Sequence, residues 1–93
     1  MKVLGHKKVE GCLEGTNVYD IFLKENIDEN FITFLSNFGK LIQNNEIENP
    51  FFKIIVKGKY TIKGSIGNKS VRILLPDSNY NELLTELIEL LEC

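Results

Sequence analysis

The stretch 51-FFKIIVKGKYTIKGSIGNKSVRILL-75 decides the fold class. Phe52, Ile54 and Val56 alternate with Lys53, Ile55 and Lys57, which is the two-residue period of a strand. Gly58-Lys59 supplies a short turn, after which Tyr60, Ile62, Gly64 and Ile66 alternate with Thr61, Lys63 and Ser65. Gly67-Asn68-Lys69 turns the chain again, because Gly and Asn tolerate positive φ. Val71, Ile73 and Leu75 then alternate with Arg72 and Leu74. A three-stranded antiparallel meander is expected over residues 51–75.

On its C-terminal side, Pro76 ends the last strand because it has no N–H for the ladder. Asn79 can cap a helix, with Glu82 three residues on as its capping-box partner. Tyr80, Leu83, Leu84, Leu87, Ile88 and Leu91 share one helical face, while Glu82, Glu86 and Glu89 lie opposite. On the N-terminal side, Asp28 can cap a helix whose apolar stripe is Phe31, Phe34, Leu35, Phe38, Leu41 and Ile42. Ile32, Ser36, Gly39 and Gln43 line its flank, and the small residues there would let another backbone approach. Asn44-Asn45 and Pro50 bracket the exit loop.

The first quarter of the chain is less regular. Residues 7–13 can form a strand, with Cys12 inside it as a buried thiol, and Glu14-Gly15-Thr16-Asn17 looks like a turn. Residues 18–23 fit either period. Alternation groups Tyr19, Ile21 and Leu23, whereas helical spacing groups Val18, Ile21 and Phe22 behind an Asn17 cap. The strand reading is preferred for its Val, Tyr, Ile and Phe content. The chain thus reads as α+β, an antiparallel sheet of four to five strands with two main helices in the order β-β-α-β-β-β-α. With 93 residues, 43% of them hydrophobic, it forms one domain over residues 1–93.

The net charge of −2 hides a segregated layout. Residues 51–75 hold six bases and no acid, and residues 76–93 hold five acids and no base. Lys53, Lys57, Lys63 and Arg72 have the parity to share a sheet face or its rim. They read as a patch for phosphate or an acidic partner, or as solvation of a sheet face and protection of strand edges.

Several activities lose support. His6 is the lone histidine, in a stretch expected to be mobile, so neither a zinc set nor a histidine-based nucleophile device is expected. The glycines of Gly64-Ser65-Ile66-Gly67 lie between strands and lack the spacing of a nucleotide phosphate loop. Asp28-Glu29 and Glu46-Glu48 would hold a cation weakly, without a calcium-loop pattern. Cys12 and terminal Cys93 form no disulfide framework. The chain is expected to be non-catalytic and to need no cofactor. With no run of about 18 apolar residues and no signal-like N-terminus, no membrane association and a cytoplasmic location are expected.

The order of elements, with the Lys57-Gly58-Lys59-Tyr60 hairpin, the Ile73-Leu74-Leu75-Pro76 strand end, Asn79 and the leucine-rich last helix, resembles the Roadblock/dynein-light-chain superfamily of profilin-like folds. The likeness is best over residues 52–91; residues 7–45 match only in the order of elements. The resemblance implies a non-catalytic homodimer that scaffolds other proteins. It would pair the edge strand after the middle helix, residues 51–57, and pack that helix, residues 28–44, on its twin. The dimer-interface candidates are then Ile32, Ser36, Gly39, Phe51, Phe52 and Ile55, which could equally fill the monomer core. Residues 28–91 also have the helix, three-strand, helix order of a double-stranded-RNA-binding domain. That family carries its lysines at the start of the last helix, where this chain has Asn79-Tyr80-Asn81-Glu82. Nucleic-acid or anionic-ligand binding through residues 51–75 is therefore the alternative to a homodimeric interaction domain.

Overall fold

A computed structural model describes residues 1–11, 17–44 and 51–92. The chain runs β1 (Val3–Lys8), β2 (Asn17–Leu23), α1 (Glu29–Ser36), β3 (Lys40–Asn44), β4 (Phe51–Val56), β5 (Tyr60–Ser65), β6 (Ser70–Leu75) and α2 (Tyr80–Leu91). The strands form one antiparallel sheet in the order β1-β2-β6-β5-β4-β3.

Alternation along the strands separates two faces. Ile21, Leu23, Phe52, Ile54, Ile62, Val71 and Ile73 are all at most 1% exposed, and they pack against Ile32 and Leu35 of α1 and Leu84, Leu87 and Leu91 of α2. Both helices therefore cover the same side of the sheet. Burial of this apolar area is the main stabilising term. The opposite face carries Asp20, Phe22, Arg72, Lys63, Lys53 and Phe51, all half-buried or exposed. Val18, two residues from Asp20 on the same face, is fully buried.

The expected meander exists with one strand more. The helix stripe drawn through Leu41 and Ile42 is broken: α1 stops at Ser36, and Leu41 and Ile42 belong to β3, opposite Ile54 and Lys53. Local bonds end the helix. Ser36 Oγ donates to the Thr33 carbonyl at 2.6 Å, and Asn37 Nδ2 donates to the Phe34 carbonyl at 3.2 Å. The α1 N-terminus is as expected, with the Phe31 N–H donating to Asp28 Oδ1 at 2.8 Å. At α2, Asn79 precedes the first turn but makes no side-chain capping bond, so no capping box with Glu82 forms. It adopts φ 60, ψ 20, a left-handed conformation that Asn accepts more readily than most residues.

β3 displaces two further expectations. Residues 51–57 are not the expected sheet edge: β4 pairs with β3 on one side and β5 on the other, so it has no free rim. Gly39 lies outside α1, in the bend before β3, against the backbone of Ile55. It serves the monomer fold and is not on a helix flank. The first strand lies earlier than residues 7–13, since Val3–Lys8 pairs with β2, and residues 18–23 form the strand rather than the helix. Cys12, the 14–16 part of the expected turn, the Asn45–Pro50 loop with Glu46 and Glu48, and Cys93 lie outside the described residues.

Candidate functional site

The uncovered face owes its chemistry to register. Directly opposed residues of neighbouring antiparallel strands share a face. Lys7 stands opposite Asp20, Asp20 opposite Arg72, Arg72 opposite Lys63, and Lys63 opposite Lys53. Five charged side chains from five adjacent strands thus form one row across the sheet, four of them positive. Two residues along the strands, a second row runs parallel. Phe22 stands opposite Ser70, and Phe51 opposite Ser65. Phe22 is 41% exposed and Phe51 39%.

Between the rows lies a shallow cleft of about 500 Å³, lined by Asp20, Arg72, Lys63, Ser65, Ser70, Asn68 and Phe51 among others. Its upper rim is held by the β5–β6 turn. Gly67, at φ 93, makes that turn possible. The Gly67 N–H donates to the Ile27 carbonyl at 2.9 Å, and the Ile27 N–H to the Asn68 carbonyl at 2.8 Å. The turn is thereby tied to the segment that leads into α1.

Arg72 is oriented by Asp20. Its Nε donates to Oδ1 at 2.9 Å and its Nη2 to Oδ2 at 3.3 Å, a two-pronged pair. The pair is partly open to solvent, so it contributes at most about 1 kcal/mol to stability. It also tethers the guanidinium to Asp20 on one neighbouring strand, with Lys63 opposite Arg72 on the other. Like charges directly opposite one another cost stability. Lys53, Lys63 and Arg72 are such neighbours, and all three lie on interior strands. Protection of a sheet edge therefore does not account for them.

Three of the four anion-binding candidates meet on this face: Lys53, Lys63 and Arg72. Lys57 does not join them, since it lies beyond the end of β4 in the turn. Of the dimer-interface candidates, Phe52 is fully buried and Ile32 is 2% exposed, so both belong to the core. Phe51 and Ile55 alternate onto the open face, and Ser36 lines a small groove of about 240 Å³ between α1 and β3. Reading the sequence alone missed Lys7, Asp20, Phe22, Ser65 and Ser70 as neighbours of the basic residues. Their signal is register between paired residues up to 52 positions apart, which composition and periodicity do not carry.

The far side is acidic. Glu82, Glu86 and Glu89 are exposed on α2, and Glu86 accepts a bond from Lys59 Nζ at 2.9 Å. That bond holds the Lys59 pKa above its ordinary value of 10.5. Burial, aided by Glu86, pushes the Tyr60 hydroxyl above 10.0. His6 lies on β1 and meets the Tyr19 ring edge-on, centroids 6.0 Å apart, so it is not in a loose N-terminal stretch. Among the described residues, no three His, Cys, Asp or Glu side chains stand together as metal ligands, and no helix is long and apolar enough to cross a membrane.

Compared with protein-family models, curated proteins and solved structures, the chain finds no match.

Proposed function

We propose that this chain is a non-catalytic binding module whose open sheet face takes an anionic partner. The observation that carries the reading is the row Lys7, Asp20, Arg72, Lys63, Lys53, with a net charge of three positive across five adjacent strands. Such a row concentrates positive potential along one line, which steers and holds an anion. The exposed carboxylates of α2 lie on the opposite side of the molecule and repel the same partner, which orients its approach. The test is retention on a polyanionic matrix. The wild type should be retained at low salt and released as salt rises, and Lys53→Glu with Lys63→Glu should run through unretained. A wild type that ignores the matrix at low salt counts against the reading.

A second reading, a homodimer that acts as a scaffold, is favoured by β3. This strand ends the sheet, and an open edge is a template for pairing. Relative to the Roadblock-like arrangement, the pairing strand is then β3 (Lys40–Asn44) instead of residues 51–57, with Ser36 of α1 beside it. Two open faces of the same charge repel each other, so a sheet edge, β3 or β1 at the opposite end, is the available route for two copies. Light scattering on a sizing column decides it: a mass twice that of the chain at both low and high salt supports the dimer, and a monomer excludes it.

A further inference from the structure

We infer that the partner of the open face is a single-stranded nucleic acid, with phosphates along the cation row and bases stacked on Phe22 and Phe51. The inference rests on the anion-binding reading above and adds to it the class of partner.

Three observations lead there. The first is length. Lys7 and Lys53 are separated by four inter-strand steps, roughly 19 Å at about 4.8 Å per step. A lone phosphate group would engage one end of such a row, whereas a polyanion with repeated charges engages all of it. The second is the parallel row of exposed rings. Phe22 and Phe51 flank Ser70 and Ser65, offset about 7 Å from the cations along the strands. Every base has a π-face, so exposed rings beside a basic track are a sequence-tolerant stacking platform. A peptide of carboxylates alone, such as polyglutamate, has no aromatic group to stack on the rings. The third is the cleft between the rows, where Ser65, Ser70 and Asn68 supply hydroxyl and amide groups within reach of a sugar or base edge.

The geometry also selects single strands over duplex. Bases stacked in a helix have no free faces for Phe22 and Phe51, which stand three strand steps apart, about 14 Å. Three to four phosphates on the cation row give a salt slope of roughly −2 to −3, at about 0.7 per phosphate for single strands.

The test is fluorescence anisotropy of the full chain with a labelled oligo(dT) and oligo(U) of about 12 nucleotides, at about 50 mM and about 200 mM salt. Inorganic polyphosphate, polyglutamate and a duplex of the same length serve as competitors. The variants are Phe22→Ser, Phe51→Ser and Lys63→Gln, each shown by thermal melting to be folded. Both phenylalanines are exposed, so the fold should tolerate their loss. The expected result is that each ring variant weakens oligonucleotide binding about fivefold or more while leaving polyphosphate binding unchanged. Lys63→Gln should lower the salt slope by about 0.7 for both ligands. If polyphosphate or polyglutamate binds as well as the oligonucleotide and the rings make no difference, the nucleic-acid inference is overturned and the anion-binding reading stands. If the duplex binds as tightly as the single strand, the stacking geometry is wrong. If no polyanion binds at low salt, both readings fall together.

Discussion

Gly39 lies against the backbone of Ile55: a Cβ added to it would stand 2.5 Å from the Ile55 carbonyl oxygen and 2.9 Å from the carbonyl carbon. Backbone atoms cannot step aside as a flexible side chain can. Gly39→Leu should therefore cost about 3 kcal/mol or more, at or beyond the upper end of ordinary overpacking, and detach β3 from β4. Thermal melting, together with faster amide exchange confined to residues 40–44 and 51–56, would show it. A variant of wild-type stability would mean that the bend before β3 is not packed as described.

Phe51 and Phe52 are adjacent and face opposite ways. Phe52 is fully buried, and its ring covers Gly64 closely: a Cβ at Gly64 would meet Phe52 Cε1 at 2.9 Å. Phe52→Ala should cost about 3–5 kcal/mol, as for other core aromatics. Phe51→Ala should change stability by under about 1 kcal/mol. Parallel denaturant titrations measure the contrast, and equal losses would contradict the assignment of the two faces.

The two helix starts differ in kind. Asp28 accepts the Phe31 N–H, so Asp28→Ala should destabilise by about 1 kcal/mol. Asn79 makes no side-chain capping bond and sits at φ 60, where glycine is at ease. Asn79→Gly should be neutral within about 0.5 kcal/mol, and Asn79→Val should be harmful because a β-branched residue resists that φ. Chemical denaturation of the three variants ranks them.

Lys53 and Lys63 repel across β4 and β5. Lys53→Thr should raise stability by roughly 0.2–1 kcal/mol, since it removes one of two like charges and adds a good strand former. The same change should weaken binding to any polyanion. A rise in melting temperature with a loss of affinity is the signature of a residue kept for binding at a cost to the fold. Loss of both would mean that Lys53 serves the fold.

Stability should fall in alkali through Lys59 and Tyr60. Both have folded pKa values raised above their ordinary values, 10.5 and 10.0. The folded state then holds these protons more tightly than the unfolded chain, so stability is full below about pH 10 and declines as pH rises through the folded values. Tyr60→Phe should remove the tyrosine share of that decline, and Glu86→Gln the lysine share. Melting temperatures from pH 8 to pH 11 test the sign, and a rise above pH 10 would refute it.

What could be read from the sequence was local. The alternation of Phe52-Ile54, Tyr60-Ile62 and Val71-Ile73 settles three strands, because the period of side chains along a strand is a property of neighbouring residues. The Asp28 cap and the leucine face of α2 are local in the same sense, and the α+β class follows from them. The end of α1 was not legible: Leu41 and Ile42 continue its apolar spacing, and only pairing of residues 40–44 with β4 pulls them into a strand. Nor could periodicity tell that Lys7 and Asp20 stand in line with Arg72, Lys63 and Lys53. Charge order along the chain gave a basic segment; which residues share a row depends on the register between strands distant in sequence. The chain itself determined the elements and which faces of them are apolar. Tertiary structure decided which of those faces stay uncovered, since both helices pack on one side of the sheet and leave the charged rows of the other side open.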